Sequence, residues 1–336
     1  MSNEAKKDII GLQLLRAIAA FTVVGQHAGF EIWKSSHLEN PIAIGSFGVD
    51  LFFVLSGLVM WISTRSTNPG RSSVGRFLTK RFLRITPLYW TITLGLAFLF
   101  MLVPSLSNTD QLANGHLWKS LLYFPQQNWP ILIVGWTLSH ELLFYLLFSL
   151  KLACKRGVYL VITSLLTFGL VGWLLPRDGS WEWYGLVFSP FQLEFLMGIA
   201  CGWLYDRQKL PSVWFPLAAI LVLGVTGSQI ELSRWVLWGG IGAASCLVFL
   251  KLEDICRRVP SSFLVLGESS YALYLIHLPI VTVIARLVRG EQIGALHRWT
   301  ALVGTVVVCE IVAVLLWKIF DEPVQTWIGN RLRKIF

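Results

Sequence analysis

Two ionisable residues interrupt the first long apolar run of the sequence, LLRAIAAFTVVGQHAGF at residues 14–30. Arg16 and His27 are eleven positions apart, so an α-helix brings both onto one face, about 16 Å apart along its axis. Charged groups are costly inside a membrane helix and therefore mark candidate functional sites. A guanidinium binds anions, and an imidazole acts as a general base or a nucleophile near neutral pH. One face of the helix thus carries a cation near the inside and a titratable imidazole near the outside, although a topology anchor at Arg16 and a structural hydrogen bond at His27 also fit.

Acidic residues in two other apolar runs are candidate partners for that imidazole. Asp50 lies in FGVDLFFVLSG, at the depth that His27 reaches on the first helix. A carboxylate there would orient the imidazole of His27 and raise its basicity, unless Asp50 caps a helix at the interface. Glu141 follows His140 in GWTLSHELLFY, near the middle of its helix. Adjacent side chains diverge by about 100°, so only one of the two faces the interior, and we favour Glu141.

A third histidine, His277, precedes Pro279 in YALYLIHLPI. A helix loosened by proline often needs a side-chain hydrogen bond nearby. We therefore interpret His277 as a structural residue.

A cluster of basic residues lies before an apolar run, in GRFLTKRFLRITPLYW. Its members are Arg76, Lys80, Arg81 and Arg84. Such a cluster is typical of an ordinary cytoplasmic loop, and it also suits a ligand that carries several phosphates.

These residues must be positioned by membrane helices, because 55% of the chain is hydrophobic, only 14% is charged and the mean hydropathy is +0.63. A helix needs about 20 apolar residues to cross the hydrocarbon core. Ten stretches qualify and predict an all-α, polytopic integral membrane protein with about ten transmembrane helices in one bundle. They are residues 10–30, 44–63, 85–104, 130–150, 157–175, 186–205, 213–228, 233–250, 267–286 and 299–319.

The basic residues predict the orientation of this bundle. With the N-terminus in the cytoplasm, 21 of the 28 lysines and arginines fall on the cytoplasmic side, which also places the C-terminus there. The net charge of +9 thus mostly reflects the excess of basic residues in the cytoplasmic segments, so we expect no nucleic-acid partner. Arg16 interrupts the first apolar run and no small-residue cleavage site follows it, so we expect a permanent helix and not a signal peptide.

The domain organisation predicted from the sequence is a single transmembrane domain, residues 1–336, with no separate soluble domain. The longest external connections, residues 31–43 and 105–129, would cap a pocket but not form a core. The five cysteines show neither metal-ligand spacing nor a paired external position, so we expect no disulfide framework.

The order of these motifs resembles the membrane-bound acyltransferase family 3 over nearly the whole chain. The matching segments are R-x10-H (Arg16 and His27), FGVDLFFVLSG, RFLRITPLYW, GWTLSHELLFY, LEFLMG and YALYLIHLP. The sequences FGVDLFFVLSG and GWTLSHELLFY are most similar to those of the branch that acetylates bacterial exopolysaccharides. His140 departs from the family pattern, which leaves open whether it shares or perturbs the role of Glu141.

The resemblance implies an O-acetyltransferase of the bacterial inner (plasma) membrane. Such an enzyme takes acetyl, or a similar acyl group, from cytoplasmic acetyl-CoA. It delivers the group to a hydroxyl of an extracytoplasmic glycan, here an exopolysaccharide or its lipid-linked precursor. The partners implied are this glycan acceptor, the lipid bilayer and the polysaccharide synthesis machinery, and no metal is implied.

The resemblance also assigns roles to individual residues. Arg16 and His27 match the essential pair, Arg81 and Arg84 the cytoplasmic arginine motif, and Glu141 the buried glutamate. Arg16, Arg76, Lys80, Arg81 and Arg84 are then the expected donor-binding residues. His27 acts as general base or as transient acyl carrier, with Asp50 first and Glu141 second as its carboxylate partner.

Two rival functions remain open from the residues alone. A glycolipid carrier or flippase would use the buried charges as a proton relay, but the sequence has no detectable inverted repeat. A metal-dependent intramembrane hydrolase would use His27, His140, Glu141 and His277, but these lack ligand spacing within one helix.

Overall fold

The structure of the chain is a computed structural model. It describes residues 9–34, 47–104, 116–126, 128–175, 183–288 and 294–335. Of the predicted external connections at 31–43 and 105–129, residues 35–43, 105–115 and 127 lie outside the described residues.

Helices account for nearly all of the described secondary structure, and the described ranges contain no β-strand. In chain order the helices are α1 (Ile10–Trp33), α2 (Phe47–Ser63), α3 (Arg71–Leu102), α4 (His116–Leu121), α5 (Gly135–Phe148), α6 (Leu150–Ala153), α7 (Gly157–Leu174), α8 (Trp183–Val187), α9 (Phe191–Asp206), α10 (Trp214–Gln229), α11 (Gly240–Lys251), α12 (Glu253–Cys256), α13 (Ser261–Glu268), α14 (Ser270–Val288), α15 (Ala295–Leu316) and α16 (Glu322–Ile335). Two π-helical segments, Trp235–Gly239 and Trp317–Asp321, run directly into α11 and α16.

Five of the described helical runs are long and apolar enough to cross a bilayer. They are Arg71–Leu102, Gly157–Leu174, Trp183–Asp206, Ser270–Val288 and Ala295–Lys334. Three shorter apolar helices are Phe47–Ser63, Trp214–Gln229 and Trp235–Lys251. Each of the ten predicted stretches coincides with a helix, which establishes an all-α membrane protein. Ten crossings and two cytoplasmic termini remain predictions.

Small residues allow α2 and α9 to pack closely. A Cβ atom added to Gly57 would collide with the carbonyl oxygen of Phe195, and one added to Gly198 would collide with that of Val54. Small residues at such crossings let membrane helices gain van der Waals contact. The α2–α9 pair therefore forms a rigid wall, and one face of α2 is committed to this packing.

The start of α1 is fixed by a side chain from a distant part of the sequence. The backbone N–H groups of Ile10 and Gly11 donate to the two carboxylate oxygens of Glu253, over 3.0 and 2.9 Å. The N–H groups at a helix N-terminus have no partner within the helix, and the helix dipole favours a negative charge there. Glu253 thereby holds α1 in register one and a half turns before Arg16.

Connections that the charge pattern assigns to the cytoplasm contact one another. Arg65 pairs with Asp206 at 3.7 Å, and the N–H of Gly70 donates to the carbonyl of Leu152 at 2.8 Å. Lys151 donates to Thr64 Oγ1 at 2.8 Å and lies over the Trp61 ring, 4.6 Å from its centroid. Burial lowers the pKa of Lys151 to about 8. We refer to this side of the molecule, which also carries α16, as the α16 end.

Candidate active site

A cavity of about 680 Å³ lies between α1, α2, α3, α5, α14 and α16. Its deep part is lined by buried residues such as Thr137, Leu138 and Tyr274. Exposed residues of α16, among them Asn330 and Arg333, line the other part. The cavity therefore opens at the α16 end and closes inside the bundle.

Four arginines line this cavity: Arg16, Arg81, Arg84 and Arg333. Arg16 is half-buried and forms no hydrogen bond or ion pair with the described residues. Its neighbours within electrostatic range are Arg81, Arg84 and Glu141. Around Arg16 the positive charges thus outnumber Glu141, which favours an anionic ligand there. Over the cavity wall as a whole, Glu141, Glu268, Asp321 and Glu322 balance the four arginines.

Glu141 provides the opposite charge on the cavity wall. Its Oε1 accepts hydrogen bonds from Ser56 Oγ, at 2.9 Å, and from the hydroxyl of Tyr145. Both donors also line the cavity, so the carboxylate is held in place while still facing Arg16.

The neighbouring His140 points elsewhere. It is buried, its Nδ1 lies 3.1 Å from the carbonyl oxygen of Trp136, and its ring packs against Phe53 and Phe191. The structure thus places Glu141 on the cavity and His140 among aromatic rings, which is the arrangement that we favoured from the sequence.

Arg84 is held by a carboxylate from the far end of the chain. Its Nη1 donates to both oxygens of Asp321, at 3.0 and 2.7 Å, and its guanidinium lies 5.3 Å from the centre of the Tyr271 ring. Arg81 approaches Ser63 Oγ at 3.4 Å and lies over the rings of Phe77 and Tyr145. Both arginines are therefore oriented toward the cavity before any ligand arrives.

Arg76 and Lys80, the other two members of the basic cluster, are exposed and do not line the cavity. They are four residues apart and share one face of α3. Arg81 and Arg84 are half-buried and line the cavity. The structure therefore divides the cluster, and only Arg81 and Arg84 join Arg16.

His27 lies beyond the closed end of the cavity and is not part of its wall. Its half-buried ring contacts that of His277, with 5.2 Å between the centroids. The His277 ring lies 5.9 Å from that of Tyr274, which lines the cavity. α1 is continuous through Arg16 and His27, but only Arg16 lines the cavity, and two rings separate the cavity from His27.

The prediction that Asp50 orients His27 is wrong in this structure. The buried carboxylate of Asp50 accepts from Nε of Arg234 at 2.9 Å and from Nη2 at 2.8 Å. The cavity-facing positions of α2 are Val49, Phe52, Phe53, Leu55, Ser56, Val59 and Met60, and Asp50 is not one of them. A two-point bond to Arg234 leaves this carboxylate engaged on the other side of α2.

Sequence reasoning missed three residues at the site: Asp321, Arg333 and Tyr145. Asp321 directly follows the last apolar run, in IFDEPVQ, and a carboxylate at that position is an available signal. Arg333 belongs to a basic tail that looks like an ordinary topological signal. Tyr145 lies four residues after Glu141, a spacing that places both on one helix face and was an available signal. In the described part of the chain, no group of three or more His, Cys, Asp or Glu side chains forms a candidate metal site.

Comparison with known proteins gives a consistent assignment. The model of the Acyl_transf_3 family, described as an acyltransferase domain, matches residues 9–318. The chain is 31% identical to the exopolysaccharide production protein ExoZ of Rhizobium meliloti, over 76% of this chain and 83% of that protein. It is 24% identical to the acyltransferase MdmB of Streptomyces mycarofaciens, over 96% and 92% of the two chains.

A further relative is the peptidoglycan O-acetyltransferase OatA of Listeria monocytogenes, 24% identical over 96% of this chain and 56% of that protein. No solved structure matches the chain. The chain belongs to the acyltransferase 3 family, as the order of its motifs predicted. It is an acyl-transferring enzyme embedded in the membrane.

Proposed function

We propose that this enzyme transfers an acetyl group from cytoplasmic acetyl-CoA to a hydroxyl of an extracytoplasmic glycan. The observation that carries the proposal is the cavity with four arginines, one of which, Arg16, forms no hydrogen bond or ion pair with the described residues. A volume of about 680 Å³ lies within the range of small-molecule sites. The phosphates of the donor would bind Arg81, Arg84 and Arg333 at the open end, which we take as cytoplasmic.

The closed end of the cavity suits the other end of the donor. Phe52, Thr137 and Tyr274, which carry no charge, line the cavity there. A thioester placed against this wall lies on the His27 side of the cavity. Because the His277 and Tyr274 rings separate His27 from the cavity, we expect one of these side chains to move when donor and acceptor are both bound.

In the reaction proposed, His27 takes the proton of the acceptor hydroxyl while that oxygen attacks the thioester carbonyl carbon. The carbon–sulfur bond then breaks, the acetyl group stays on the acceptor, and the CoA thiolate leaves with a proton returned by His27. In the alternative route, a nitrogen of His27 attacks the thioester carbon and the carbon–sulfur bond breaks, after which the acceptor oxygen attacks the acetyl carbon, the carbon–nitrogen bond breaks and the hydroxyl proton passes to the thiolate. In either order His27 must be neutral when it attacks or accepts the proton.

We take the acceptor to be an exopolysaccharide or its lipid-linked precursor. The support for this choice is the relative in Rhizobium meliloti, which is named for exopolysaccharide production. The bacterial inner membrane is the matching location, because a donor on one side and a glycan on the other require a protein that spans it.

Two measurements test this function. Proton NMR of the cell's exopolysaccharide should show O-acetyl signals with the wild-type protein and lose them with His27→Ala at equal membrane abundance. Purified protein in liposomes should consume acetyl-CoA when an acceptor glycan is present. Glycolipid transport without any acetyl-CoA turnover, or full acetylation with His27→Ala, would contradict the proposal.

A further inference from the structure

The second histidine, His277, has one nitrogen bound and one nitrogen without a partner. Its Nδ1 lies 2.7 Å from the carbonyl oxygen of Tyr274, three residues earlier on α14. A carbonyl only accepts hydrogen bonds, so Nδ1 carries the proton, and Nε2 of the neutral ring is then a bare acceptor. The Nδ1 bond is the structural role that the sequence predicted beside Pro279.

The free nitrogen is the unusual feature. His277 is fully buried, and its Nε2 has no hydrogen-bond partner among the described residues. A buried acceptor without a partner is destabilising, so such a group calls for an explanation. A second proton on Nε2 would not relieve the cost, because it would create a buried charge beside another imidazole.

The ring that contacts His277 is that of His27, with 5.2 Å between the centroids. Neither ring nitrogen of His27 makes a hydrogen bond with the described residues, although a general-base histidine needs a partner that fixes its tautomer. Asp50 is bound to Arg234 and is therefore not this partner of His27. Glu31, one turn further along α1, is within electrostatic range of His27, and it also approaches Lys34 at 3.7 Å.

We infer that His277 is a positioning residue for His27. Its Nε2 accepts the N–H of one His27 nitrogen, directly after a small ring rotation or through one water molecule. The other His27 nitrogen is then unprotonated and directed to the acceptor hydroxyl. His277 thus takes the place that a carboxylate holds beside most general-base histidines. This inference rests on the proposed function, because it assigns His27 the proton-transfer role.

Two substitutions separate this role from the structural one. In His277→Asn, the amide nitrogen occupies the place of Nδ1 and keeps the bond to Tyr274, but no atom reaches the place of Nε2. In His277→Gln, the longer side chain puts an acceptor oxygen near Nε2. The experiment measures kcat and KM for acetyl-CoA in liposomes, together with the unfolding midpoint. It compares the two His277 variants with Glu31→Gln and His27→Ala.

We expect His277→Asn to lower kcat roughly 10- to 100-fold with an unchanged KM and unfolding midpoint. His277→Gln should keep most of the activity, and Glu31→Gln should match the wild type. A purely structural His277 gives the opposite order, with Asn tolerated and Gln destabilised. The inference would be overturned by this opposite order, by an equal loss of kcat in both His277 variants, or by no loss in either. A loss of kcat in Glu31→Gln alone would overturn it as well. Full activity of His27→Ala would instead overturn the proposed function.

Discussion

Two arginine–aspartate pairs lie on opposite sides of α2 and differ mainly in what surrounds them. Arg84–Asp321 and Arg234–Asp50 both join a partly exposed arginine, 39% and 42% accessible, to a fully buried carboxylate. The first pair lines the cavity together with Arg16 and Arg81. The second lies behind α2, where Arg234 packs over the Phe191 ring.

The contrast shows that an ion pair inside a membrane bundle does not by itself mark a ligand site. Arg84 is paired with Asp321 but also lies near Arg16, whose other charged neighbours are Arg81 and Glu141, so positive charge remains available to an anion around Arg16. Near Arg234 no positive charge is left over, because Asp50 pairs with it and the buried Glu194 is a second acidic group beside that pair. We therefore expect the first pair to affect donor binding and the second to affect stability.

The largest expected effect follows from Arg234→Met. Removing one partner of a buried pair leaves an uncompensated charge and costs about 3–5 kcal/mol, here near the lower value because Arg234 is partly exposed. The unfolding midpoint in detergent should fall markedly, and Arg234→Met combined with Asp50→Asn should recover part of the loss. A variant with wild-type stability and no activity would place this pair in the active site.

Next in size is Glu141→Gln, which keeps the shape of the cavity but removes its negative charge. The four arginines then lose a neighbour that offsets them, so the KM for acetyl-CoA should not rise. The bonds from Ser56 and Tyr145 weaken, and we expect kcat to fall about 10-fold. Steady-state kinetics would contradict the assignment of Glu141 if KM rose while kcat stayed constant.

A matched pair of arginines then tests the boundary of the donor site. Arg333→Ala removes a lining residue, and the KM for acetyl-CoA should rise about 3- to 10-fold because one charge-assisted bond to phosphate is lost. Arg76→Ala removes a basic residue outside the cavity and should leave KM near the wild-type value. Equal increases in both variants would mean that the whole cytoplasmic surface, and not the cavity, attracts the donor.

The smallest expected effect concerns Lys151, at the α16 end but outside the cavity. Its pKa is lowered to about 8 from an ordinary value near 10.5. The unfolded chain therefore binds more protons than the folded one between these two values, and stability should rise as the pH rises through this window. Unfolding midpoints from pH 8 to 10 should rise less in Lys151→Met, whereas identical pH profiles would contradict the pKa shift.

The helices were predictable from the sequence because each depends on a local run of apolar residues. The inward orientation of Glu141 was also predictable, since only one of the adjacent polar side chains of His140 and Glu141 can face the interior. The partner of Asp50 was not, because Arg234 lies 184 positions away and helical phase says nothing about which helix packs on which face. Asp321, 237 positions from Arg84, was hidden for the same reason.

Donor binding measured apart from group transfer tests the account most directly. Calorimetric titration of acetyl-CoA into purified wild type, Arg16→Ala and His27→Ala should be paired with an acetyl-transfer assay on the same samples. We predict that Arg16→Ala loses donor binding, whereas His27→Ala binds with wild-type affinity and transfers nothing. Unchanged binding by Arg16→Ala, or loss of binding by His27→Ala, would contradict the separation of a donor-binding end from a transfer end.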